Sequence, residues 1–383
     1  MNFLILTHQY PKKSNLYRSG FVHQRVKEYQ SKGFNTEVWV IDNSKDFVEK
    51  YTFENVNVYE GSISEFKNFV NQKEIDRILV HFLLQETMQA LESLNKRIPV
   101  IVWVHLFEAS SWYRRLFEFN SLSFLKYIRF NTKQLKAYRK FNENTKLNIT
   151  YVFVSQWIKS VAENDIKTKF SKSYVIHNFV NTSLFNYEKK EPSQRKKILS
   201  IRTFQSKKYA NDISAEAIKI LSQRPEFKDL EFSLYGRGKY FKKIERELSK
   251  YPNVKMYDTF LTHKEMYDLY KEHGIFLCPT RQDSQGVSMG EAMSCGLIPV
   301  TTNNSAIPEF VDHGETGFLS NNPKEIAESI LRLYHNEEEY LKVSYQASRA
   351  VDNQCGLAAT IDREIEVIQN ASNGGDIVRN GFL

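Results

Sequence analysis

Long apolar runs are missing from this sequence. No stretch of its 383 residues approaches the ~20 consecutive apolar residues that a membrane-crossing helix requires. Residues 1–6 turn polar at Thr7, His8 and Gln9, which is not the layout of a secretory leader. Cysteine is scarce: the 3 thiols stand at 278, 295 and 355, without pairing or metal-ligand spacing. That argues against a disulfide framework or a cysteine-held metal and points to a reducing cytoplasm. Cys278 and Cys295 fall in apolar contexts suited to packing. Repeats and low-complexity tracts are also lacking, so no solenoid is expected. Acidic residues are the minority, 45 against 53 Lys and Arg, for a net charge of +8. This balance favours anionic partners without choosing among nucleotide, phospholipid and nucleic acid. No nucleic-acid-reading motif accompanies it, so nucleic acid is not expected as a partner.

What is present is ordinary globular composition, 41% hydrophobic and 26% charged, over a length sufficient for two cores. Residues 2–6 read as a buried strand. A glycine-bearing loop, a helical pattern up to Gly33 and a second strand at 36–41 follow, which is a doubly wound beginning. Further strands are expected at 77–84, 99–105 and 150–155. His81 lies mid-strand and reads as a core histidine. His105 ends its strand, where open α/β sheets place ligands. Residues 186–196 are polar and contain Pro192, the best linker in the chain. The pattern then restarts with strands at 198–201, 231–235 and 254–257 and a helix at 264–273.

The most informative stretch runs from Pro279 to Phe310. A strand ends at Pro279, a loop holding Asp283 and Gly286 opens into a helix through Glu291, and Gly296 stops that helix before a second apolar run. Backbone amides at such a helix start can seat a phosphate. A carboxylate one turn inside can accept from a vicinal hydroxyl pair such as a ribose edge. The alternative is an ordinary strand–helix–strand connection whose glutamate favours the helix start.

Asp283 and Glu291 bracket seven residues, and EAMSCGLIPV begins at Glu291. Together these resemble the E-x7-E motif and EAM-x-x-G-x-P-V block of the family 4 retaining glycosyltransferases. Ile307-Pro308-Glu309 and HGETGFL at 313–319 resemble the same family, as do Asn178, Asn181 and Phe185. The first acid is Asp283 rather than Glu, and Ser284-Gln285 stand where Gly-Phe is more usual. The resemblance implies an α/β protein of the GT-B fold, with two doubly wound Rossmann-like domains facing across a cleft. These would be an acceptor-binding domain over residues 1–190 and a nucleotide-sugar-binding domain over 191–356, with a terminal helix at about 357–383 packing back on the first.

The function implied is metal-independent, retaining transfer of a hexose-type sugar from a nucleotide-diphospho-sugar, UDP- or GDP-linked, to a glycan or lipid-linked acceptor in bacterial surface or capsule polysaccharide synthesis. No resident cofactor or metal is implied. Arg202 and Lys207 match the family's diphosphate-binding pair, and fixed cations there stabilise a departing nucleoside diphosphate; Lys208 is expected at the surface. Gly236 matches a close-approach turn. Gly286, Val287 and Ser288 match the phosphate-binding amides and Glu291 the ribose ligand. Asp283 and His105 are implied as catalytic positions near the sugar. Two other classes stay open: a GT-B-like subunit that only binds, and a sugar-nucleotide epimerase, separable by acceptor-dependent release of nucleoside diphosphate.

Residues 112–141 mix aromatics with eight cations against Glu118. Such a basic amphipathic segment suits peripheral contact with the anionic inner face of a cell membrane; the alternative is a solvated helix covering the sheet.

Overall fold

The computed structural model describes residues 1–12, 19–119, 122–143 and 146–371. The chain divides into two compact units. Unit 1 comprises Met1–Arg114, Ser121–His177 and Thr360–Leu383, and unit 2 comprises Arg115–Asn120 and Asn178–Ala359.

In unit 1 the described strands are β1 (Asn2–Thr7), β2 (Asn35–Ile41), β3 (Glu49–Phe53), β4 (Val56–Gly61), β5 (Arg77–His81), β6 (Val100–Val104), β7 (Ile149–Phe153) and β8 (Ser173–Val175). They form one sheet in the order β3-β4-β2-β1-β5-β6-β7-β8. All pairs are parallel except β3 with β4. The central strands are buried along their length, as the near-continuous apolar runs of a covered parallel sheet require. The hairpin β3–β4 has no counterpart in the sequence-based expectation. β3 alternates between partly exposed and exposed positions, so it lacks the apolar run by which its neighbours were read.

Unit 2 carries β9 (Lys197–Ile201), β10 (Glu231–Tyr235), β11 (Val254–Tyr257), β12 (Ile275–Leu277), β13 (Ile298–Thr302) and β14 (Phe318–Ser320). Their order is β11-β10-β9-β12-β13-β14, with every pair parallel. This is the six-strand Rossmann order, in which direction reverses between the first and fourth strands of the unit, here β9 and β12. Open α/β sheets bind ligands beyond the carboxyl ends of the strands at that reversal.

Unit 2 begins at Asn178, ahead of the expected boundary at 190, because residues 178–185 bond within unit 2. The Asn178 N–H donates to Gln285 at 2.6 Å, the Val180 N–H to the Cys355 carbonyl at 2.9 Å, and the Ser294 hydroxyl to the Phe185 carbonyl at 2.5 Å. Residues 115–120 also fall to unit 2, where Glu118 accepts from the Ser206 hydroxyl and the Lys208 N–H. The helix Arg363–Asn370 packs into unit 1 through Glu364. This wholly buried carboxylate accepts from Arg25 Nε at 3.0 Å, Tyr29 Oη at 2.6 Å and Trp103 Nε1 at 3.0 Å.

The expected basic segment 112–141 is two elements, a 3₁₀ stretch Trp112–Glu118 and a helix Leu122–Asn142. The helix buries Phe124, Asn131, Gln134, Leu135, Tyr138 and Phe141. Lys126, Arg129, Lys133, Lys136 and Lys140 lie on its outer face, all exposed. Their spacing of three and four residues makes one stripe about 21 Å long at 1.5 Å per residue. None of the five has an ion-pair partner among the described residues.

Candidate active site

In unit 2 the reversal point gathers the sequence-predicted donor residues. Arg202 follows β9 directly and is 6% exposed. Its guanidinium reaches Ser288 Oγ at 3.5 Å and the carbonyls of Cys278 and Pro279, just past β12, at 3.4 Å each. Its Nε is buried without a hydrogen-bond partner. Gly236 makes that placement possible. It has φ +149°, and a Cβ there would lie 1.9 Å from the Arg202 carbonyl oxygen, so a side chain at this turn would displace the strand end carrying Arg202. Hydrogen bonds from Arg202 N–H to Tyr235 at 3.0 Å and from Phe204 N–H to Arg237 at 2.8 Å close the two turns on each other.

Gly286 caps the helix Val287–Ser294 in the left-handed conformation, with φ 83°. Asp283 Oδ1 accepts from the Gln285 N–H at 3.4 Å and the Gly286 N–H at 3.2 Å. The structure therefore gives Asp283 a turn-capping contact. The next amides, of Val287 and Ser288, belong to the first helical turn, which lacks intrahelical acceptors. Glu291 lies three residues beyond Ser288, on the same face. Its carboxyl group has no hydrogen-bond partner among the described residues, and desolvation raises its pKa to about 8. The partly exposed Glu291 carboxyl thus lies one turn inside the helix whose start Arg202 reaches through Ser288.

Lys207 is placed differently from Arg202. It begins a 3₁₀ turn, Lys207–Tyr209, and lines a cavity of about 90 Å³ with Asp212, Lys243 and Glu247. Its ammonium makes no hydrogen bond or ion pair among the described residues. Lys208, expected at the surface, is half-buried. Its ammonium and the Arg202 guanidinium lie 5.3 and 5.2 Å from the same Tyr209 ring.

In unit 1, His105 follows β6 and is buried, and its Nε2 lies 3.1 Å from Nδ1 of His81. Burial first, and then the Arg25 charge, hold the His105 pKa well below the ordinary value. Burial, then the His105 and Arg25 charges, do the same for His81. Three residues that sequence reasoning missed hold this strand end in place. The wholly buried Glu108 accepts from the His105 N–H at 2.7 Å and the Leu106 N–H at 3.2 Å, and burial raises its pKa. Asn131 donates to the Ser110 carbonyl at 2.9 Å, and Gln134 to the Leu83 and Glu108 carbonyls at 2.8 and 3.1 Å. Their available signal was two amides three residues apart on the apolar face of a basic helix. Among the described residues no three His, Cys, Asp or Glu side chains gather as a metal site, and no helix is long and apolar enough to cross a membrane.

Two Rossmann-like sheets, one with an anion-ready turn at its strand reversal, are the GT-B fold of glycosyltransferases. Residues 184–350 match the family model described as Glycosyl transferases group 1. An uncharacterized glycosyltransferase of Methanocaldococcus jannaschii, MJ1178, is 27% identical over 71% of this chain and 69% of that protein. The N-acetyl-alpha-D-glucosaminyl L-malate synthase of Bacillus anthracis is 23% identical over 80% of this chain and 78% of that protein. Among solved structures, Anabaena HepE in complex with UDP and glucose superposes with a TM-score of 0.72 at 14% identity, over 96% of this chain and 99% of that one. By these matches the chain is similar to glycosyltransferases over residues 184–350 and shares their fold.

Proposed function

We propose that the protein transfers a sugar, with retention and without a metal, from a nucleotide-diphospho-sugar to a glycan or lipid-linked acceptor in surface polysaccharide synthesis. The observation that carries this reading is the pairing at one helix start of Arg202, buried with its Nε unbonded, and Glu291, partly exposed with no donor. A nucleoside diphosphate answers both, its phosphates meeting the cation and the Val287 and Ser288 amides and its ribose hydroxyls the carboxyl group. Lys207 is the second cation assigned to the diphosphate, and Gly236 keeps the Arg202 turn open to it. HepE, a relative in fold, is described in complex with UDP and glucose, which favours a UDP-linked donor, with GDP as the other choice. The Erwinia amylovora relative AmsK, 27% identical over 41% of this chain, is named for amylovoran biosynthesis, which favours a polysaccharide role.

In the proposed reaction the acceptor hydroxyl attacks the anomeric carbon on the face from which the diphosphate leaves. The new carbon–oxygen bond forms as the bond to phosphate breaks, and the hydroxyl proton passes to the departing phosphate oxygen. Arg202 and Lys207 stabilise the charge that develops there, and Asp283 is assigned to the donor sugar. In unit 1, His105 is likewise assigned to the sugar ring; held neutral, it can accept or donate a hydrogen bond without carrying charge.

The five-cation stripe on the helix Leu122–Asn142 is proposed to rest on anionic phospholipid at the cytoplasmic face of the membrane. Its unpaired charges favour this partner, and exposed Leu122, Leu125 and Phe130 at its amino-terminal half offer apolar contact at the interface.

The donor assignment is tested by calorimetric titration with UDP-, GDP-, ADP- and CDP-sugars. One of them should bind and release its nucleoside diphosphate only when acceptor is added. Failure of all four to bind would reject the donor site.

A further inference from the structure

Gln285 is 3% exposed, yet its carboxamide is fully engaged. Oε1 accepts from the Asn178 N–H at 2.6 Å, and Nε2 donates to the Asn178 carbonyl at 2.9 Å. Nε2 also lies 3.5 Å from Cys355 Sγ. One side chain thus pairs with a main chain 107 residues away in sequence, as a strand neighbour would. Asn178 is the first residue of unit 2 after His177, Cys355 lies shortly before its end at Ala359, and the Val180 N–H joins the two segments by donating to the Cys355 carbonyl. On the other side of Ser284, the Asp283 carboxylate caps the Gln285 and Gly286 N–H groups. The loop between β12 and the helix Val287–Ser294 is therefore held at two points, one a cap within the loop and the other an anchor outside it.

We infer that Gln285 is a positioning residue for the diphosphate-binding turn, an inference that rests on the donor reading above. It fixes Gly286, and with it the first helical amides, where they and Arg202 close on the same phosphates. An apolar side chain of similar length would fill the space but remove both hydrogen bonds to the buried main chain of Asn178. A glutamic acid repeats both hydrogen bonds while protonated. Once ionised it loses the donor and repels the Asn178 carbonyl. Among the described residues the ionisable groups hydrogen-bonded to Gln285 are the Asp283 carboxylate, whose Oδ1 faces its N–H, and the Cys355 thiol, which burial raises to about 12 and which stays neutral across the range used.

The experiment measures UDP affinity, with GDP run alongside, for wild type, Gln285→Met and Gln285→Glu, together with amide exchange at Asn178. Gln285→Met should bind the diphosphate about tenfold more weakly and exchange the Asn178 amide faster. For Gln285→Glu, the ratio of variant to wild-type Kd should be near one at pH 5.5 and about ten at pH 8.5. Taking the ratio cancels the pH dependence that wild type owes to Glu291. A purely structural role would lower thermal stability while leaving that ratio flat, and a flat ratio overturns the inference, as does unchanged UDP binding by Gln285→Met. If wild type binds neither UDP nor GDP, the donor reading fails and takes this inference with it.

Discussion

Glu291 is the residue whose behaviour follows most directly from its surroundings. Desolvation raises its pKa to about 8, so the free protein holds it mainly protonated at neutral pH. The sign for stability follows from linkage. Folding favours the protonated form, so the burden is absent below the unfolded pKa near 4.3, grows as pH rises from there, and is complete above about 8. The sign for binding is the reverse. Ribose hydroxyls donating to the carboxylate lower its pKa, so nucleotide binding should expel a proton. Affinity should rise with pH, by at most about tenfold per unit, and level off above 8. Calorimetry in buffers of different ionisation enthalpy checks the proton count, and Glu291→Gln should bind more weakly with no such slope. The residue-level content of the sequence was uneven. Glu291 and Arg202 could be assigned to a helix and a strand end because each belongs to its own local motif. Asp283 was read as a sugar ligand, and its capping of the Gln285 and Gly286 N–H groups was not read, because turn capping and sugar binding use the same residue type at the same position. Gln285 registered only as a departure, since its partner lies far along the chain.

At the scale of elements, buried strands were legible wherever apolar residues ran together, as in β1, β6, β9 and β13. β3 and β4 were not, because an edge hairpin with partly solvated positions carries no such run. The segment 112–141 was read as one amphipathic stretch. It breaks after Glu118, whose carboxylate bonds to unit 2, while the helix that follows belongs to unit 1. Composition alone could not place that break. The helix Leu122–Asn142 gives the element-scale prediction. Vesicles of phosphatidylglycerol and phosphatidylcholine should co-sediment the protein at low salt, and phosphatidylcholine alone should not. Reversing Lys133, Lys136 and Lys140 to Glu should cut partitioning at least ~100-fold, from about 1 kcal/mol per cation removed and a further cost for each new anion. Equal partitioning of wild type and variant would dismiss the membrane assignment.

Across the whole molecule, the two-unit α/β plan could be read from the restart of the strand pattern near residue 198. The boundary could not, because residues 178–185 join unit 2 through main-chain bonds that leave no trace in composition. The helix Arg363–Asn370 was visible as a helix, but the role of Glu364 was hidden among ordinary surface-type charges. Its carboxylate, enclosed by Arg25, Tyr29 and Trp103, makes the last described helix a structural part of unit 1. Glu364→Ala would remove the buried carboxylate that Arg25, Tyr29 and Trp103 share and should destabilise unit 1 by about 3–5 kcal/mol. Urea unfolding followed by the fluorescence of the 4 tryptophans, all in unit 1, checks this, and an unchanged midpoint would show that the network adds nothing.

The central claim is that the helix start beside Arg202 receives a nucleoside diphosphate. The most direct measurement compares UDP with UMP, and GDP with GMP, by calorimetry in wild type and Arg202→Met. A charge-assisted contact worth about 1.5–3 kcal/mol predicts a preference for one diphosphate over its monophosphate of at least tenfold in wild type, most of it lost in the variant while the fold persists. The same preference in both proteins, or none in wild type, would contradict the account.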